Sequence, residues 1–373
     1  MRVLLMISGI AMGGAERNVV SVLPYLKEID GVTPLLGTLN TWRDSPLVEI
    51  LAESRVRRFD LSAKRLIDPA AWKRFISLLD EQKIDIVSTQ DQYTNLFGAL
   101  AFWWTRVPIV MTRHVMCEPT DTFRETVKAK LMLWAARYGS HRLIAVSEAV
   151  RENLARQAGV PLSRIETIYN GIDVERFATR DQRDRKRAQM GWNPDQKIVL
   201  MVAVLRRGKG HEILFEAISQ LKAEIPGVRI KLVGDGELNG SLRRQAEPFG
   251  DTVELLGERV DVPELLGASD ALVLPSWSEA LPTVLMEAGA ACLPVVATNV
   301  GGAAEIVEEG RSGYLVRAGD AEQLADRLIR TLQNPEQARQ LGEYARNHIA
   351  ELFSLERQAK KMVSLYGSIL GTE

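Results

Sequence analysis

Short runs of almost continuous apolar residues alternate along this chain with longer segments in which apolar side chains recur every three or four positions. "RVLLMIS", "DIVSTQ", "PIVMTRH" and "RLIAVS" are runs of the first kind, while Ala15, Val19, Leu23 and Leu26 show the second spacing. Strands apolar on both faces, separated by helices, predict parallel sheet covered on both sides. After "IYNGID" the pattern stops in a charged, strand-free interval, "RFATRDQRDRKRAQMGWNPDQ". It restarts with "KIVLMVAV", "RIKLVGD", "VELLGE", "ALVLPS" and "PVVAT". Such polar intervals mark domain boundaries. The expectation is therefore an α/β chain of two doubly wound domains, 1–173 and 197–351, with a linker at 174–196. Leu355, Met362, Leu365 and Leu370 predict a closing helix within 352–373, turned back toward the first domain. Tandem sheets of this kind are expected to face a central cleft with the carboxyl ends of their strands, where ligands bind.

Composition narrows the functional classes. A chain of 373 residues, 46% hydrophobic and 25% charged, has material for two cores, and its formal charge of -1 argues against a nucleic-acid partner. The two cysteines, Cys117 and Cys292, suit a reducing compartment. "HVMC" brings His114 near Cys117 without enough further ligands for a metal, so Cys117 reads as structural and no metal is expected. The first apolar run is too short for a signal peptide, and "LFGALAFWW" has about half the length of a spanning helix, so the expected location is cytoplasmic or peripheral to a membrane.

Three loops carry candidate chemistry. Gly13 and Gly14 in "SGIAMGGAERN" open a helix straight after the first strand, where bare backbone N–H groups can approach a phosphate or merely make a tight turn. Their spacing, like that of "VGDGELNG", is wrong for a dinucleotide fingerprint, so no NAD is expected. "LRRGKGHEILFEAI" puts Arg206, Arg207 and Lys209 between a strand end and a helix start, as an anion pocket or a solvated basic turn. In "PSWSEALPTVLMEAGA", Pro282 suits the first helical position and the N–H groups of Leu281 and Thr283 are placed for a phosphate. Glu287 leans back toward that helix start, where its two oxygens can take both hydroxyls of a ribose. Glu279, ahead of the helix, can reach the hydroxyls of a second sugar.

The ordered set "GGAERN", "TRH", "AVSEAV", "IYNGID", the Lys209-Gly210 pair, "VGDGE", "SEALPTVLMEA" and "GGAAEIV" resembles the retaining GT-B glycosyltransferases of family 4 over nearly the whole chain. The resemblance implies that Glu287 holds the nucleotide ribose and Glu279 the transferred sugar. It further implies that Lys209 binds the diphosphate, that Gly13 and Gly14 meet the donor phosphate from the other domain, and that His114 is a cleft histidine near the donor sugar. Gly234 of "VGDGE" joins the donor-binding set, and Arg259 and Val260 in "LGERVDV" match a loop framing the base. The implied reaction moves a sugar from a nucleotide-sugar donor, UDP favoured and GDP the alternative, to a glycan or lipid-linked acceptor hydroxyl, with retention and without a cofactor or metal. Cell-surface polysaccharide synthesis is the implied setting.

Two departures stand out. Ala280-Leu281 replaces the Gly-Phe of many members, and Val204 stands where an arginine of the phosphate clamp is expected. Arg206, and after it Arg207, are the expected substitutes for that arginine. A GT-B epimerase or phosphorylase, or an inactive nucleotide-sugar-binding subunit, are the competing expectations. "FWWTR" and "RETVKAKLMLWAARYGSHRL" offer aromatics and cations to the inner face of a membrane. The plainer expectation is that Trp103, Trp104 and Trp134 pack against the sheet.

Overall fold

The computed structural model describes residues 1–10, 13–40, 47–64, 68–116 and 122–372, so Cys117 lies outside the described residues. The chain divides into two compact units, Met1–Ile172 with Leu355–Glu373, and Asp173–Ser354.

The first unit holds seven strands: β1 (Arg2–Ile7), β2 (Thr33–Thr38), β3 (Arg57–Asp60), β4 (Ile86–Thr89), β5 (Ile109–Arg113), β6 (Arg142–Ala145) and β7 (Ile165–Thr167). They pair in the order β3-β2-β1-β4-β5-β6-β7, every described pairing parallel. The chain order reverses between β1 and β4, which makes their carboxyl ends the switch point of this sheet. Helices start cleanly where the sequence supplies a cap. Asp91 accepts hydrogen bonds from the N–H groups of Tyr93 and Thr94 while its own N–H donates to the Thr94 hydroxyl oxygen, closing a capping box for Gln92–Trp104.

The closing helix runs Leu355–Leu370 and belongs to this first unit. Leu355, Ala359, Met362 and Tyr366 enter the same core as Val19, Leu23 and Leu26 of helix Gly14–Glu28. Buried amides fix the register of that contact: Asn18 and Gln358 exchange hydrogen bonds of 3.1 and 2.8 Å, and Gln358 also accepts from the Gly171 N–H at 2.7 Å. Such groups are costly to bury unpaired, so the amide set specifies one docking of the last helix.

The second unit has six strands: β8 (Ile198–Val202), β9 (Arg229–Val233), β10 (Val253–Gly257), β11 (Ala271–Leu274), β12 (Val295–Thr298) and β13 (Gly313–Val316). Their order is β10-β9-β8-β11-β12-β13, again parallel, with the switch point between β8 and β11. The stretch 174–196, expected as a linker, is integral to this unit. It carries helix Arg183–Met190, and Arg180, Arg183 and Arg187 donate to the carbonyls of Gly267, Ala268 and Ser269 at the end of helix Val262–Ala268. Cations are favourable at a helix C-terminus, so the basic composition that reads as a polar spacer is a cap. Asp270 completes it, taking Arg183 at 2.7 Å and Arg187 at 2.6 Å while accepting from the Ile198 N–H at the start of β8.

Arg187 is only 1% exposed, so its charge depends on that carboxylate. Asp270→Ala is expected to destabilise the second unit by about 3–5 kcal/mol, the usual cost of stranding one member of a buried pair. Urea unfolding followed by circular dichroism measures it, and a loss below about 1 kcal/mol would contradict the assigned role.

Candidate active site

Parallel pairing delivers the loops after β8 and β11 to the same edge of the second sheet, side by side. Lys209 arrives on the first and Glu279 on the second, and their side chains meet: the Lys209 ammonium donates to Glu279 Oε1 at 2.7 Å. Ser276 donates to the same oxygen, also at 2.7 Å. Both charged groups are largely buried. An ammonium has three donors, of which this contact uses one, and Glu279 Oε2 takes no hydrogen bond among the described residues. The pair therefore holds two loops together while keeping donors and an acceptor for a polar ligand.

Glu287 lies on helix Thr283–Ala290, which follows Pro282, and it is buried. Leu281 is buried at the start of this helix and Thr283 is half-buried. Arg206 and Arg207 lie on the Lys209 loop and both are exposed; the Arg206 main-chain N–H donates to the Val204 carbonyl at 2.8 Å, while neither guanidinium makes a hydrogen bond or ion pair among the described residues. Val204 is exposed as well.

Two supports of this site were not assigned a role from sequence. The main chain of Glu279 and Ala280 rests on the Gly301-Gly302 doublet after β12. Gly301 has φ +50°, and a Cβ there would fall 1.6 Å from the Glu279 carbonyl oxygen, so only glycine fits; the Gly302 N–H donates to the Ala280 carbonyl at 3.2 Å. A glycine pair two residues beyond an apolar strand is the signal that could have pointed to it. Trp277 is the other: its indole donates to Glu212 at 2.7 Å and its main-chain N–H to the Gly208 carbonyl at 2.9 Å, a second tie between the two loops.

Gly234 has a packing requirement: with φ +137° it lies against the Ala203 carbonyl, where a Cβ would come within 2.0 Å. Arg259 is engaged by its own neighbour. Its Nε and Nη2 donate to the two Asp261 oxygens at 2.8 and 2.6 Å, and Lys186 joins the same carboxylate. These contacts, the Arg259 hydrogen bonds foremost, hold the Asp261 carboxyl well below the usual range. Val260 beside it is exposed.

The remaining candidates belong to the first unit. Gly13 and Gly14 stand at the start of helix Gly14–Glu28, after β1. The Glu16 side chain folds back over Gly13, so that a Cβ on Gly13 would meet Glu16 Oε2 at 2.1 Å, and burial followed by repulsion from Asp91 raises the Glu16 carboxyl. His114 follows β5, the strand next to β4. Its Nε2 is 3.2 Å from Gln90 Oε1 and its Nδ1 is 3.4 Å from Asn170 Nδ2, so Asn170 donates to Nδ1 and the Nε2–H donates to Gln90. Gln90 in turn donates to Ser88 at 2.8 Å, which also accepts from Tyr366 of the closing helix at 2.9 Å. The chain of hydrogen bonds requires a neutral ring, and burial, aided by Arg113, brings the His114 pKa down to about 4.

Two doubly wound sheets with polar residues gathered at their switch points define the GT-B class of α/β proteins. Residues 182–348 match the model for "Glycosyl transferases group 1" and residues 12–176 that for "Glycosyltransferase Family 4". The chain belongs to this glycosyltransferase family. The N-acetyl-alpha-D-glucosaminyl L-malate synthase of Bacillus anthracis is 32% identical over 212 residues, 56% of this chain and 55% of that one. This chain thus spans little more than half the length of that relative. The Escherichia coli UDP-Gal:alpha-D-GlcNAc-diphosphoundecaprenol alpha-1,3-galactosyltransferase is 29% identical, with 78% of this chain and 76% of that one aligned. Among solved structures, the Anabaena protein HepE in complex with UDP-glucose superposes with a TM-score of 0.84 at 25% identity, covering 99% of this chain and 100% of that one.

The His114 ring makes folding sensitive to acid. Its folded value of about 4 lies below the ordinary 6.5, so between those limits the unfolded chain binds the extra proton and stability falls as pH falls. Stability measured from pH 7.5 to 4.5 is expected to drop more steeply in the native protein than in His114→Gln. Parallel profiles would show that the ring is not held neutral.

Proposed function

We propose that this protein transfers a sugar from a nucleotide-sugar donor, UDP favoured over GDP, to a hydroxyl of a glycan or lipid-linked acceptor, with retention at the anomeric carbon. The observation that carries the reading is the Lys209–Glu279 contact at the switch point of the second sheet, with Glu287 on the helix that follows. Departure of a nucleoside diphosphate builds negative charge on its oxygens, which preorganised cations and N–H groups stabilise. Lys209 is the cation proposed for that task. The Leu281 and Thr283 N–H groups and the Gly13–Gly14 turn are proposed phosphate contacts, with Gly234, Arg259 and Val260 nearer the base. Arg206 is proposed as the second cation in place of the arginine absent at Val204, with Arg207 its alternate. Glu279 orients the sugar, His114 borders it as a neutral hydrogen-bonding group, and Glu287 accepts from the ribose diol.

Retention follows from attack on the face that the diphosphate leaves, the departing phosphate accepting the proton of the acceptor hydroxyl. That path needs neither a protein nucleophile nor a metal. The resemblance to an enzyme whose name specifies a diphosphoundecaprenol acceptor supports a lipid-linked acceptor here, in surface polysaccharide synthesis. A second reading is a nucleotide-sugar-binding subunit without turnover; the exposed Val204 in the place of an arginine favours it.

Binding tests the donor assignment first. Glu287→Ala is expected to weaken UDP by about 1.5–3 kcal/mol in calorimetry, the range for hydrogen bonds to a charged group. Unchanged affinity would remove the ribose assignment.

Turnover tests the chemistry. With a donor found by thermal-shift screening, Lys209→Ala and Arg206→Ala are each expected to lower the rate by about 10²–10³, as loss of an oxyanion contact does. Activity is expected to survive EDTA and the product to keep the donor's anomeric configuration by NMR. An inverted product or loss of activity on chelation would reject the mechanism, full activity of Arg206→Ala would reject the compensating arginine, and UDP binding without turnover would favour the binding subunit.

A further inference from the structure

Trp103, Trp104 and Trp134, expected to pack against the sheet, do not: they are 64%, 79% and 44% exposed. Both helices that carry them expose further apolar side chains. On helix Phe123–Tyr138 the exposed apolar residues are Phe123, Val127, Leu131, Trp134 and Tyr138, at intervals of four, four, three and four. That spacing places them in one stripe along the helix. Met132, Ala135 and Ala136 are buried on its opposite side, so the core does not need the stripe. Helix Gln92–Trp104 packs beside it and exposes Tyr93, Leu100, Trp103 and Trp104. A monomer in water has no use for nine neighbouring exposed apolar side chains, five of them Trp or Tyr.

The charges around this surface indicate what covers it. Among the described side chains the two helices carry three cations, Lys128, Lys130 and Arg137, against one carboxylate, Glu125, in a chain whose formal charge is -1. Glu125 sits in the first turn, where it accepts from the Thr122 hydroxyl. By helical position Lys130 and Arg137 flank the stripe on one side and Lys128 on the other, its ammonium lying 4.7 Å from the centre of the Tyr93 ring. Arg106 follows Trp104 and is exposed without an ion pair among the described residues.

We propose that the outward face of helices Gln92–Trp104 and Phe123–Tyr138 docks on an anionic lipid bilayer, with the aromatic rings in the interface and the cations among the headgroups. Amphipathic Trp and Tyr rings favour the boundary between hydrocarbon and water, and flanking lysines and arginines add attraction to anionic lipid. A second copy of the chain fits worse, because a two-fold contact would press the same cations against themselves. No helix among the described residues is long and apolar enough to cross a membrane. The inference stands on the first unit alone and does not depend on the proposed reaction. If the acceptor is lipid-linked, this surface brings it to the enzyme.

The test uses the whole chain and vesicles of phosphatidylcholine with or without phosphatidylglycerol. Flotation with the phosphatidylglycerol vesicles is expected, falling with added salt, and none with phosphatidylcholine alone. Trp103→Ser with Trp104→Ser, and separately Phe123→Ser with Trp134→Ser, are expected to weaken it at least about tenfold. Lys130→Glu and Arg106→Glu are expected to weaken it by roughly fivefold for each charge removed. Unchanged UDP affinity and thermal midpoint show that each variant is folded. Failure to bind either vesicle, binding indifferent to all these substitutions, or a dimer by light scattering that the tryptophan variants abolish would overturn the proposal. Loss of turnover with intact flotation would instead count against the glycosyl-transfer reading.

Discussion

Parallel pairing is the constraint on which the rest of this structure depends. It sends the carboxyl ends of all strands in a sheet to one edge, and the reversal of strand order between β8 and β11 leaves two loops there with no crossover between them. Lys209 and Glu279, separated by seventy positions in the chain, meet for that reason. The same arrangement in the first sheet brings the loop after β1 beside Asp91, which follows β4 and caps its helix while accepting from the Ser8 N–H. Acid and base at the second switch point neutralise one another, so neither is buried as a bare charge, and a ligand can exchange for contacts already made.

The arginine cap and the candidate site lie at opposite ends of the second sheet. Asp270 and the Arg180, Arg183 and Arg187 cluster stand where β8 and β11 begin, against the last turn of helix Val262–Ala268. Lys209, Glu279 and Gly301 stand where strands end. In the first unit the two roles are joined instead. The closing helix supplies Tyr366 to the hydrogen-bond chain that runs through Ser88 and Gln90 to His114. The end of the chain thus contributes to setting the state of a candidate site residue formed more than two hundred positions earlier.

The sequence by itself determined the class of fold, because strands buried on both faces must be written as apolar runs, and it marked the three candidate loops, because the residues of each are contiguous. It left β2, β3, β7 and β13 unread: β2 contains Pro34 and Gly37, which read as breakers, while β3 is "RRFD" at a sheet edge with half its side chains exposed. Only the tertiary structure decided what the charged stretch 174–196 does, since a basic segment has the same composition whether it is a spacer or caps a distant helix. Only it paired Lys209 with Glu279, placed Gly301 under the Glu279 carbonyl, and engaged Arg259 with Asp261. The tryptophans show the same limit from the other side. A stripe of apolar residues at helical spacing reads as core, and which face of a helix meets the sheet is settled by neighbours such as Met132 and Ala135, whose burial depends on strands far away in the chain.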